Sequence, residues 1–87
     1  MKDEFLEHLL AIIKSKKDEN PEKSYTAMLQ QSEINETLKK IEEEAYEVID
    51  AVKLKNKSNI VHEVADLWFH CLVLLAKQDL TVVDITN

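Results

Sequence analysis

Apolar residues recur along this chain at helical rather than strand spacing. Phe5, Leu6, Leu9, Leu10, Ile12 and Ile13 fall on one side of a 3.6-residue repeat and predict a helix over residues 4–17. Asp3 stands where an N-cap is expected, and Lys14, Lys16 and Lys17 suit the negative end of the helix dipole. The polar run Asp18-Glu19-Asn20-Pro21-Glu22-Lys23 is a connection, after which Ser24 is placed to cap a short helix over Tyr25–Gln31. Ser32 or Asn35 is the expected cap of a longer helix over roughly residues 34–55.

In that longer helix Ile34, Leu38, Ile41, Ala45, Val48, Ile49 and Val52 share one arc and are expected to face the core. Lys40, Glu44 and Glu47 form a strip along the edge of the arc, while Glu42, Tyr46 and Lys53 point to solvent. Asn56-Lys57-Ser58 is a short loop, which favours antiparallel neighbours, and Ser58 is the expected cap of a helix over 59–77. Apolar residues from Ile60 to Leu75 cover roughly 220° of this helix, Trp68 and Cys71 among them. His62, Glu63, Asp66, His70 and Lys77 share the remainder with Val73. A surface helix needs only about 100° of apolar arc, so this one is expected to be covered from a second side, most simply by another subunit. Thr81 with Asp84 three residues on makes a variant capping box for a last short segment.

Composition agrees with an all-α fold: no glycine, one proline and 32% charged residues leave few signals for hairpins. The 87 residues, read as a single domain over 1–87, suit an antiparallel helical bundle. A chain of this length buries roughly 60–65% of its unfolded surface and is marginal alone. Cys71 is the only cysteine, so no disulfide framework compensates, and completion by homodimerisation is expected. A net charge of −6 disfavours nucleic acid as a partner. Neither a signal peptide nor an apolar span of about 20 residues is read, so a cytoplasmic protein without membrane attachment is expected.

The chemistry is concentrated in two acidic phrases, Glu42-Glu43-Glu44-Ala45-Tyr46-Glu47 and His62-Glu63-Val64-Ala65-Asp66. Each holds two carboxylates three apart, Glu44 with Glu47 and Glu63 with Asp66, and such positions share a helix face. Acidic residues on helices are usually solvated, and among 17 Asp and Glu some pairs of this spacing arise by chance. The second pair interrupts the most apolar helix, however, where a charge is costly unless paired or bound to metal. If the two helices lie side by side, the four carboxylates converge and call for Mg²⁺, or Mn²⁺. Such a metal serves phosphoanhydride chemistry, with Glu43 as the spare carboxylate able to orient a water. Lys40 has an ion pair with Glu44 as its simplest role and a phosphate contact as its functional one; Lys14, Lys16 and Lys17 similarly suit a helix end. His62 and His70 lie four residues either side of Asp66 and are read as its hydrogen-bond partners rather than ligands of a hard cation.

Over Ile13 to Asp84 the chain resembles the phosphoribosyl-ATP pyrophosphatases of histidine biosynthesis, themselves similar to the MazG-like all-α nucleotide pyrophosphatases. Ser24-Tyr25-Thr26-Ala27, Glu43-Glu44-Ala45 with Glu47-Val48, and His62-Glu63 with Ala65-Asp66-Leu67 and His70 carry the resemblance. The Glu-x-x-Glu and Glu-x-x-Asp pattern of the wider group is matched by Glu44/Glu47 and Glu63/Asp66. The resemblance implies a dimeric helical enzyme with sites where helices of two subunits meet. Its implied activity is Mg²⁺-dependent hydrolysis of phosphoribosyl-ATP to phosphoribosyl-AMP and pyrophosphate, with Lys16 and Lys40 toward the substrate. The family usually has Arg at Lys16, Lys at Met28 and Gly at Glu33 and Glu42. Lys16 keeps the charge but lacks the bidentate fork of an arginine. Two alternatives remain open here: a house-cleaning MazG-like pyrophosphatase acting on other nucleoside triphosphates, and a non-catalytic helical dimerisation module.

Overall fold

The computed structural model describes the backbone of residues 2–86 and the side chains of residues 4–86. Five helices follow one another: α1 (Lys2–Ser15), α2 (Tyr25–Gln31), α3 (Ile34–Lys53), α4 (Lys57–Lys77) and α5 (Val82–Thr86). The all-α expectation is met, and no strand occurs among the described residues.

Local signals set most of the helix ends. Ser24 caps α2, its hydroxyl accepting from the Ala27 amide at 3.1 Å. Thr81 and Asp84 form the reciprocal box at α5, with the Thr81 amide donating to Asp84 Oδ2 at 2.8 Å. Three expected caps differ. The first helix already begins at Lys2, so Asp3 lies within its first turn, and it stops at Ser15 before Lys16 and Lys17. Asn56, not Ser58, caps α4 by accepting from the Asn59 amide at 3.1 Å. Neither Ser32 nor Asn35 caps α3: Ser32 closes α2 by donating to the Leu29 carbonyl at 2.7 Å, and Glu33 precedes α3 without a side-chain cap.

With no glycine available, α3 and α4 end on residues that take the left-handed conformation at a cost. Lys55 and Asp79 both have φ of 57°. Each is followed by an amide that reaches back to close the helix end, Asn56 to Ala51 at 3.3 Å and Leu80 to Leu75 at 2.9 Å. Glu33 has φ of −62°, so its position makes no demand for glycine.

The hydrocarbon core joins Leu10 and Ile13 of α1, Leu29 of α2, Leu72, Val73 and Leu75 of α4 and Val82 of α5. α3 contributes nothing to this cluster. It packs instead along the other side of α4, with Thr37, Glu44 and Ala51 as its buried residues. The expected inward arc of α3 is therefore rotated: Ile34, Leu38, Ile49 and Val52 are exposed. On α4 the picture is mixed in the same way. Val73 is wholly buried rather than at the polar edge, Trp68 is 62% exposed, and Cys71 is exposed rather than core. The second apolar side of α4 exists, and this single chain leaves it open. By length and composition α4 is apolar enough to cross a membrane, contrary to the sequence expectation, yet here it packs against α1, α2 and α3.

Candidate active site

Because α3 and α4 run antiparallel across a tight connection, residues ascending one helix meet residues descending the other. Thr37 meets Lys77, Glu44 meets His70, and Glu47 reaches Glu63. The carboxylate oxygens of Glu44, Glu47 and Glu63 lie within 4.8 Å of one another. Asp66 and Glu63 are gathered equally closely with His62, whose Nε2 is 3.4 Å from Asp66 Oδ2. The four predicted acids thus meet at one seam, Glu63 linking the two groups.

Burial and mutual repulsion disfavour the ionised forms of Glu44 and Glu63. Glu44 is 5% exposed, and burial, the adjoining Glu47 and the charge of Asp66 push its carboxyl above the ordinary range, with His70 opposing. Glu63 is raised by desolvation and by Glu47, and His62 opposes. Oε2 of Glu44 and Oε1 of Glu63 are buried with no hydrogen-bond partner. Buried carboxylate oxygens without donors are costly, and a hard divalent cation with oxygen ligands removes that cost. The residues present therefore fit such an ion.

His70 takes a role that the chain alone did not disclose. Its Nδ1 lies 2.9 Å from the Asp66 backbone carbonyl rather than the Asp66 carboxylate. A carbonyl only accepts, so Nδ1 carries the hydrogen. The same nitrogen is 3.7 Å from Glu44 Oε1, which sets His70 as a buried wall behind that acid. Its partner lies on another helix, which helical spacing within α4 does not reveal.

Lys40 stands between the acids and a cleft. Its Nζ is 4.0 Å from Glu44 Oε1 on one side and 4.0 Å from Glu43 Oε1 on the other. The cleft, of about 270 Å³, runs between α2 and α3. Tyr25, Met28 and Ser32 line its α2 side, and Glu36, Lys39, Lys40 and Glu43 its α3 side. Glu43 thus faces the cleft and is not among the clustered acids. The 36, 39, 40, 43 spacing is a helical stripe, and that signal would have marked this wall. Lys16 lines neither region; it sits after α1, 3.9 Å from Glu19 Oε2.

Residues 6–87 match the family model described as phosphoribosyl-ATP pyrophosphohydrolase, a span that contains the whole seam and the whole cleft. The chain belongs to the phosphoribosyl-ATP pyrophosphohydrolase family. Relatives named phosphoribosyl-ATP pyrophosphatase include one from Hydrogenovibrio crunogenus, 45% identical over all of this chain and 80% of its own length. One from Leptospira biflexa is 45% identical over 97% of this chain and 91% of its length. Another, from Methylococcus capsulatus, is 49% identical over 86% of this chain and 71% of its length. In this member of the family the acidic seam adjoins a cleft whose α3 wall alternates acids and lysines, Glu36, Lys39, Lys40 and Glu43.

Proposed function

We propose that this chain hydrolyses phosphoribosyl-ATP to phosphoribosyl-AMP and pyrophosphate, a step of histidine biosynthesis in the cytoplasm. The observation that carries the proposal is the convergence of Glu44, Glu47 and Glu63 within 4.8 Å, with buried oxygens left unpartnered, beside the Lys40 cleft. Glu44, Glu47, Glu63 and Asp66 would hold Mg²⁺, with Mn²⁺ as a substitute. When bound, such an ion neutralises phosphate oxygens and lowers the pKa of a bound water.

The chain's own groups do the rest. Lys40, reaching the boundary between seam and cleft, neutralises a substrate phosphate and holds the phosphoanhydride against the acids. Glu43, on the cleft side, accepts the proton of the attacking water as the phosphorus–oxygen bond to pyrophosphate breaks. Lys16 is assigned to an outer phosphate only as the family resemblance implies, since in this single chain it lies outside seam and cleft, 3.9 Å from Glu19. The open apolar faces of α3 and α4, with Leu38, Ile49, Val61 and Trp68 exposed, support a homodimer as the working unit.

Complementation of a histidine auxotroph lacking this step is the direct test, coupled to pyrophosphate release from phosphoribosyl-ATP and from a panel of nucleoside triphosphates. Growth, with preference for phosphoribosyl-ATP, is expected. Preference for non-standard triphosphates would point to house-cleaning activity instead. Well-folded protein that releases no pyrophosphate and binds no Mg²⁺ would make this a dimerisation module.

A further inference from the structure

The wall of the cleft formed by α2 is not self-supporting. α2 has only seven residues, well below the length of about 12–15 at which an isolated helix is even marginally stable. It packs on α4, as α3 does, and makes little direct contact with α3, so the two walls of the cleft are related chiefly through α4. Something must set the distance between them.

Lys77, in the last turn of α4, reaches the junction of those walls. Its Nζ donates to the Leu29 carbonyl at 2.8 Å, to Ser32 Oγ at 2.9 Å and to Thr37 Oγ1 at 2.7 Å. The Glu33 carbonyl lies further away at 3.5 Å. An ammonium group has three hydrogens, so the three short bonds saturate it. Leu29 and Ser32 are the end of α2, where free carbonyls attract a cation, and Thr37 is in the first turns of α3. Among the described residues no other side chain bonds to both helices. Burial pushes the Lys77 ammonium below the ordinary lysine range, with the charge of Glu33 opposing.

We infer that Lys77 is a positioning residue that sets the width of the α2–α3 cleft and through it the seating of the nucleotide. It touches neither substrate nor the clustered acids. It ties Leu29 and Ser32, which line the cleft, to the base of the helix that carries Lys39, Lys40 and Glu43. Losing the tie lets α2 move on α4, so the cost falls on substrate binding, while the seam between α3 and α4 keeps its own contacts. This inference rests on the proposed hydrolysis of phosphoribosyl-ATP.

The experiment compares wild type with Lys77→Met, which keeps the stem and removes the charge. KM for phosphoribosyl-ATP is expected to rise about tenfold, with kcat and Mg²⁺ affinity by calorimetry within about twofold of wild type. Ile13→Val and Leu10→Met perturb the core elsewhere and bracket the loss of melting temperature; neither should raise KM. Should Lys77→Met fail to fold, Thr37→Val, which removes one acceptor, carries the test with a smaller rise in KM. An unchanged KM overturns the inference, as does an equal rise in the core variants or a parallel loss of Mg²⁺ affinity. Wild type inactive on phosphoribosyl-ATP defeats the functional proposal and this inference with it, whereas active wild type with an unaltered variant defeats only the role of Lys77.

Discussion

Leu72, Leu75 and Phe69 on one side of α4 share a hydrocarbon cluster with Leu10, Ile13, Leu29 and Val82. Along another side of the same helix, Glu63, Asp66, His70 and Lys77 face Thr37, Glu44 and Glu47 of α3. The first side gains free energy from every apolar area it buries. The second gathers like charges and leaves Glu44 Oε2, Glu63 Oε1 and His70 Nε2 buried without partners. One side therefore holds the helix in place, and the other uses that fixed position to keep repelling groups together. Hydrocarbon cohesion and the proposed chemistry thus fall on different faces of a single element.

Substitutions on the two faces should have opposite signatures. Leu72→Ala, on the hydrocarbon side, should cost about 2–5 kcal/mol and leave a domain of this size largely unfolded near body temperature. A thermal melt with little loss of cooperativity or midpoint would contradict the placement of Leu72. On the acidic side, Glu44→Ala, Glu47→Ala, Glu63→Ala or Asp66→Ala should each lower turnover by roughly 10²-fold or more while the helical circular dichroism stays intact. Near-normal turnover in such a variant would remove it from the metal-binding set.

Metal removal sharpens the contrast. Mg²⁺ at about 100 times its dissociation constant should stabilise the chain by about 2.7 kcal/mol, which chelation reverses. That corresponds to about 4–8 °C of melting temperature per kcal/mol, and Glu47→Ala should abolish the response. In metal-free protein, Glu44 and Glu63 are both raised above 4.5 in the folded state. Their ionised forms are thus disfavoured by folding at neutral pH, and that burden lifts as pH falls through the folded pKa toward 4.5. Glu44→Gln should accordingly melt higher than wild type at pH 7 without metal, with the difference shrinking on acidification. A gap that widens in acid would mean the sign is wrong. The smallest effect lies at the helix end: Lys55→Gly relieves a left-handed lysine and should stabilise by about 0.5–1 kcal/mol, read as a small rise in denaturant midpoint.

What was legible in the chain was local. Ser24 as a cap and the Thr81–Asp84 box need only neighbours a turn away, and both are present. The antiparallel pairing of the two acidic phrases followed from their helical spacing and the short loop. The facing of α3 did not, because hydrophobicity turns Ile34, Leu38 and Ile49 inward, whereas the helix buries Thr37 and Glu44. A periodicity argument assigns the core to the apolar arc and has no means of seeing that an acid is the better-buried residue. Lys77 was legible only as polar, since its acceptors lie 40 to 48 positions away.

The three-residue connection between α3 and α4 has a consequence in time. Closing a short loop costs little entropy, and contacts local in sequence form early. The α3–α4 hairpin is then the part of the chain that can assemble first, and it is the part that brings the acids together. The hydrocarbon cluster, which must join Leu10 to Val82, closes later because its partners begin far apart. Folding of this protein therefore meets its electrostatic obstacle before it gains its main source of cohesion, so screening by salt or a divalent ion should act on the rate of folding as well as on its end point.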